Sequence, residues 1–181
     1  MKEISAEKYI AEHWMKHKIW KHLKHRKHQE RFKTIASFLD GETFIDVGCA
    51  YGHSTYWLKK YKAGKWAGLD FSKKAIDIAR KHFKGIDFYY LESVNLLKSF
   101  KRFDGVVCSE VIEHTEDDIS LVEGLLRITR KILIITTPCI KVNDPGHLRV
   151  YTEVMLNDLF KGINHKLYKK NPFWYGIVRI K

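Results

Sequence analysis

Residues able to do chemistry cluster first in FIDVGCAYGHST (44–55), where Asp46, Gly48 and Gly52 flank Cys49 and Ala50. Glycine lets a backbone approach a ligand with no Cβ in the way, and a helix starting at His53 or Ser54 offers free N–H groups. A dinucleotide-binding turn would read G-x-G-x-x-G, but here Ala50 stands between Gly48 and Gly52, and Asp46 sits where an acid would repel a pyrophosphate. An acid at that place suits a cationic ligand, such as the ammonium of a methionine moiety. About 22 residues after Gly48, Asp70 in GLDFS can accept both hydroxyl hydrogens of a ribose.

The segment SEVIEHTEDD (109–118) carries a second cluster. If a helical turn begins there, Glu110, Glu113 and His114 stand at i, i+3 and i+4 on one face. Two carboxylates and an imidazole make a mixed oxygen/nitrogen site for Mg²⁺, Mn²⁺ or Zn²⁺; the same residues can instead simply shape a pocket. His147, in PGHLRVYT, can complete that ligand set or act as a base, since its unperturbed pKa lies near neutrality. It can equally be a loop histidine bonded to backbone.

These residues need elements to position them, and the hydropathy pattern supplies a strand–helix alternation. Strands are expected at Thr43–Gly48, Trp66–Asp70, Asp87–Leu91, Phe103–Ser109 and Lys131–Pro138. Helices are expected at Ser54–Lys62, Ser72–Phe83 (capped by Ser72), around Ile119–Arg130 and at Thr152–Phe160. HKLYKK and FWYGIVRI read as a closing hairpin. Ahead of all these, apolar residues from Ala6 to Leu39 recur at helical spacing, which gives one or two helices. The expected architecture is α/β: a mainly parallel sheet with helices on both faces and a terminal hairpin, binding ligands at the carboxyl ends of its strands.

Bulk properties are those of one domain spanning 1–181, with 1–40 as a helical lid and 41–181 as the core. Cys49, Cys108 and Cys139 lack C-x-x-C spacing and read as reduced core residues. No long apolar run and no apolar leader is evident, so a cytoplasmic location without a transmembrane segment is expected. The formal charge of +12 divides as +6 in 1–33 and +6 in 161–181, with a neutral middle. Such ends favour anionic partners, or else form a lysine-rich solvated surface. The basic, aromatic run 13–31 suits either phosphate tracking with base stacking or a lid helix.

In that order and spacing, FIDVGCAYGHST, GLDFS, CSEVIEH and IITTP resemble the core motifs of class I S-adenosylmethionine-dependent methyltransferases. The resemblance spans roughly residues 30–160 and implies a Rossmann-like, seven-stranded fold. It implies further that Asp46 and Gly48 contact the methionine part, Asp70 the ribose, and Glu92 with Ser93 the adenine edge. Phe71 would pack on the adenine face, with Cys49, Ala50, Gly52, Ser109 and Glu110 completing the cofactor contacts.

The E-x-x-E-H pattern is similar to two branches of the fold: the ubiquinone-biosynthesis O-methyltransferases, and the enzymes that methylate the 2′-hydroxyl at the 3′ end of small RNAs. In both, these residues can hold a metal that activates a hydroxyl. The nine-residue step from Pro138 to His147 resembles the small-molecule branch, whereas the RNA enzymes carry a longer insertion. Methyl transfer to an oxygen or nitrogen of a small metabolite is therefore expected, with His114 or His147 as base and Glu113 supporting the site. The alternative is an RNA methyltransferase that uses the basic termini. A non-catalytic cofactor-binding protein and a nicotinamide oxidoreductase are the remaining readings, the latter lacking its phosphate-binding glycines.

Overall fold

The computed structural model describes residues 24–180; the part of the expected lid before Lys24 lies outside them. Twelve elements of regular structure follow one another. They are α1 (Arg26–Phe38), β1 (Thr43–Val47), α2 (His53–Tyr61), β2 (Lys65–Asp70), α3 (Lys73–His82), β3 (Asp87–Tyr90), β4 (Phe103–Ser109), α4 (Asp118–Ile128), β5 (Thr129–Pro138), α5 (Glu153–Leu159), β6 (His165–Lys170) and β7 (Phe173–Arg179). Short 3₁₀ turns occupy Val94–Ser99 and Ile112–His114.

The seven strands form one sheet in the order β3-β2-β1-β4-β5-β7-β6. β1 to β5 run parallel, and the β6–β7 hairpin closes the sheet antiparallel to β5. This is the Rossmann-like fold, with the expected mainly parallel sheet and terminal hairpin. Between β1 and β4 the order of winding reverses, the place outside whose strand ends sheets of this kind bind ligands.

Alternation along the strands sends apolar side chains to both faces. In β1, Phe44 joins a cluster with Phe32, Ile35 and Leu58 from α1 and α2. Ile45 and Val47 turn the other way, to Leu121, Leu125 and Leu156 from α4 and α5. Helices α1, α2 and α3 thus cover one face, and α4 and α5 the other. Phe32 and Ile35 of α1 are fully buried against the sheet.

Local chemistry sets the helix starts. Ser72, Asp117 and Thr152 each accept a backbone N–H from the first turn of α3, α4 and α5, and such caps are each worth about 1 kcal/mol. Observed boundaries fall within one or two residues of those expected. The largest displacement is the start of β5 at Thr129, which takes Arg130 out of the expected helix and into the strand.

Gly105 in β4 shows how closely Leu39, just past α1, and Phe44 of β1 pack against the sheet. A Cβ there would lie 2.7 Å from Leu39 Cδ2 and 2.8 Å from Phe44 Cδ1. We expect Gly105→Ala to destabilise the fold by about 1–3 kcal/mol through overpacking. The denaturation midpoint should fall with an unchanged slope; an unaltered midpoint would mean that Leu39 and Phe44 yield at no cost.

Candidate cofactor and active site

The turn from β1 into α2 is built from left-handed residues: Gly48 (φ 80°), Ala50 (φ 45°) and Gly52 (φ 80°). Gly48 is constrained twice, since a Cβ would also fall 2.3 Å from Val111 Cγ2 in the loop after β4. Ala50 bears a conformation that glycine adopts without strain. Two backbone bonds fasten the turn to β2: Gly48 N–H and Cys49 N–H donate to the Leu69 carbonyl at 2.8 and 3.0 Å.

Both carboxylates of the turn are buried, and each has defined donors. Asp46 Oδ2 accepts from Ser54 Oγ at 2.7 Å and Thr55 Oγ1 at 2.8 Å, in the first turn of α2. Asp70 accepts from Ala50 N–H through Oδ2 and from Ser72 N–H through Oδ1, each at 2.8 Å. Burial pushes the Asp46 carboxyl up to about 6 against the lowering effect of its hydroxyl donors. Asp70 is raised for the same first cause, opposed by its backbone donors. An ammonium group placed at Asp46 would relieve this penalty, so the turn fits the cationic methionine end of S-adenosylmethionine.

The remaining cofactor candidates distribute unevenly. Cys49 packs its side chain among Ile76, Ala79, Phe83 and Phe88 beneath α3, leaving only its backbone on the turn. Phe71 is partly buried directly after Asp70, whereas Glu92 and Ser93 are exposed just past β3. Ser109 Oγ pairs with Thr136 Oγ1 at 2.8 Å, tying the ends of β4 and β5 together.

Beyond β4 the expected geometry needs correction. The helical turn does not begin at Glu110: that residue is left-handed (φ 61°), and the 3₁₀ turn starts at Ile112. Glu110 therefore leaves the expected i, i+3, i+4 face and turns to Arg31 of α1, whose guanidinium lies 3.0 Å from Glu110 Oε2. Arg31 is itself buried, with Phe173 4.5 Å beneath it. Glu113 is fully buried and accepts from Thr137 Oγ1 at 3.1 Å through Oε2; Oε1 has no hydrogen-bond partner among the described residues. Burial raises both carboxyls, that of Glu113 further through the neighbouring Glu110.

Glu113, His114 and His147 converge, each offering one ligand atom within 4.8 Å of the others. The imidazoles meet edge to face at 4.6 Å between centroids. His114 Nδ1 lies 2.9 Å from the Gly146 carbonyl, so the proton belongs on Nδ1. Burial lowers both histidines below their ordinary pKa, keeping them neutral at physiological pH.

His147 is held there by contacts that sequence reasoning did not assign. Leu148 N–H donates to the Glu113 carbonyl at 2.8 Å, Arg149 pairs with Asp118, and Tyr151 Oη donates to the same carboxylate. Arg31, Ser54, Thr55 and Thr137 were likewise not singled out. Only Ser54 and Thr55 had a usable local signal, being hydroxyls at the first turn after the glycine motif.

Comparison with known proteins decides the family. The profile described as "Methyltransferase domain" matches residues 39–177. The chain belongs to the class I S-adenosylmethionine-dependent methyltransferases. The methyltransferase is 32% identical over 100 residues to the ubiquinone biosynthesis O-methyltransferase of Thiobacillus denitrificans, covering 51% of this chain and 41% of that protein. It is 32% identical over 90 residues to its Coxiella burnetii counterpart, covering 48% and 38%. The match thus spans about two-fifths of the length of these relatives.

Among solved structures, the methyltransferase domain of a bacterial Hen1 superposes with TM-score 0.69 at 20% identity, covering 84% of this chain and 98% of that one. Magnesium protoporphyrin IX methyltransferase from Synechocystis, solved with bound S-adenosylhomocysteine, gives 0.60 at 17%, covering 84% and 82%. These likenesses show the fold alone. S-adenosylmethionine is the cofactor of the family, and no helix among the described residues is long and apolar enough to cross a membrane.

Two predictions follow from the cofactor turn. Asp70→Ala should weaken S-adenosylmethionine binding by about 2 kcal/mol or more, because a charged acceptor is lost to two hydroxyls; unchanged affinity by calorimetry would remove Asp70 from the site. For Asp46, the folded protein binds the proton more tightly than the unfolded chain, so this carboxyl opposes folding increasingly as pH rises from 3.8 to about 6. Asp46→Asn should therefore raise the melting temperature of the ligand-free protein at neutral pH, an advantage vanishing in acid, while lowering cofactor affinity. A variant that melts lower at neutral pH would refute the burial penalty.

Proposed function

We propose that the chain transfers the methyl group of S-adenosylmethionine to an oxygen or nitrogen of a small metabolite, and that Glu113, His114 and His147 hold a divalent cation beside the reacting atoms. The observation that carries this reading is their convergence just past β4, adjacent in the sheet to the end of β1, where Asp46 and Gly48 would receive the methionine part. The donor set suits Mg²⁺, Mn²⁺ or Zn²⁺: one carboxylate and two neutral imidazoles, with the unpartnered Oε1 of Glu113 as a further oxygen. A bound cation would supply Lewis-acid polarisation of the acceptor, making its proton easier to remove.

The protein's own residues supply the rest. Asp46, Asp70 and the turn 48–52 would orient the cofactor, with Phe71 against the adenine and Glu92 and Ser93 at its edge. Transfer from a sulfonium is an in-line displacement, so alignment and exclusion of water provide most of the acceleration. Where no cation is held, His147 or His114 would instead take the acceptor proton at a ring nitrogen, burial lowering both below their ordinary pKa. Arg31 would hold Glu110 in its left-handed conformation, away from the cation ligands and facing α1. The resemblance to O-methyltransferases supports an oxygen acceptor, and the short 138–147 loop supports a small one.

Glu113→Gln and His147→Ala should each lower affinity for Mn²⁺ or Zn²⁺ about 10- to 100-fold by calorimetry. Methyl transfer to a panel of small hydroxyl and amine acceptors should fall at least as much, with cofactor affinity nearly unchanged. If a chelator leaves turnover intact and added Mg²⁺, Mn²⁺ or Zn²⁺ does not raise it, the cation does not belong in the reaction.

A further inference from the structure

We propose that the face of the sheet covered by α1, α2 and α3 is a docking surface for single-stranded nucleic acid. The folded chain separates its charges by face. Helices α1, α2 and α3 hold ten lysines and arginines against two acids. The Val94–Ser99 turn, α4 and α5 on the opposite face hold two against four. Both acids of the basic face are already engaged, Glu30 with Lys170 and Asp77 with Arg80. Of the ten cations only Arg31 is buried, so most of the positive charge faces solvent.

The three helices form one continuous surface. Tyr61 Oη of α2 donates to Gln29 of α1 at 2.6 Å, and Tyr56 and His53 of α2 pack on Phe83 after α3, with centroids 5.4 and 5.2 Å apart. Aromatic rings sit among the cations. Lys60 lies 5.0 Å over Trp57, Lys33 lies 5.7 Å over Tyr61, and Tyr56 is 39% exposed. Lysines with aromatic rings among them are the composition of a surface that binds single strands without reading sequence.

The alternative anionic partner, a lipid surface, fits less well. Interfacial binding needs apolar side chains to insert between the cations. Among the described residues, every large exposed aliphatic side chain lies elsewhere: in the Val94–Ser99 turn, on α4 and α5, or in the segment 140–150. The exposed apolar residue on the basic helices is Tyr56, an aromatic. A polyanion that lies on the surface, rather than a bilayer that must be entered, matches this face. The surface is independent of the acceptor proposed above, because its cations lie outside the residues assigned to the cofactor and the cation.

The test uses the full chain and a labelled oligouridylate, with fluorescence polarisation across a series of salt concentrations. One variant carries Lys33→Gln, Lys60→Gln and Lys81→Gln, one position per helix. A control carries Lys98→Gln, Arg102→Gln and Arg127→Gln, removing the same charge from the opposite side. Cofactor affinity and circular dichroism verify that both fold. We expect the first variant to weaken binding about tenfold or more and to flatten the logarithmic salt slope by about two units, at roughly 0.7 per lost phosphate contact. The control should stay close to wild type. Equal loss in both variants would reduce the effect to net charge and overturn the proposal. So would no loss in the first variant, no binding by wild type at low salt, or capture by phosphatidylglycerol vesicles without capture of the oligonucleotide.

Discussion

The turn between β1 and α2 is pinned from two directions, and the candidate site is organised around that fixation. From the side of β2, the Leu69 carbonyl and the Asp70 carboxylate take the N–H groups of Gly48, Cys49 and Ala50. From the side of α2, Ser54 and Thr55 bond Asp46. The backbone therefore tolerates three left-handed residues in succession at alternate positions, one of them an alanine. Strain of this kind persists only where the surroundings over-determine it. The result is two carboxylates held in place but short of positive charge, which favours a cation-bearing ligand over water.

The acceptor side is fixed by different means. Glu110 and Glu113 follow the same strand within four residues, yet they face different partners: Arg31 on α1 for the first, Thr137 on β5 and the two histidines for the second. The left-handed backbone at Glu110 causes that divergence. His147 arrives on the connection after β5, whose position depends on Arg149 and Tyr151 gripping Asp118 at the start of α4. The side that would bind the cofactor is thus anchored in the sheet, and the side that would bind the acceptor is anchored through loops and a helix.

Charge distribution adds a level that neither side contains alone. The +12 of the chain is concentrated at its two ends in sequence. Folding adds the lysines of α2 and α3, drawn from the neutral middle, to those of α1, while the acids of α4 and α5 fall on the far face.

Most of the architecture was legible in the sequence because its signals are local. Period-two and helical hydropathy, the caps at Ser72 and Thr152, and glycine at a strand end act within a few residues, and they placed every strand of the sheet. Asp46, Gly48 and Asp70 were legible for the same reason, as residues at strand ends set at a fixed spacing. What only the tertiary structure decided were contacts between residues far apart in the chain. The Arg31–Glu110 pair spans four strands and two helices, His147 meets His114 from beyond α4 and β5, and the basic face assembles from three separate helices. Glu110 itself was assigned to a helical face because i, i+3 and i+4 spacing presumes helical backbone. A single left-handed residue turns the side chain away, and no periodicity in the sequence reports that one dihedral angle.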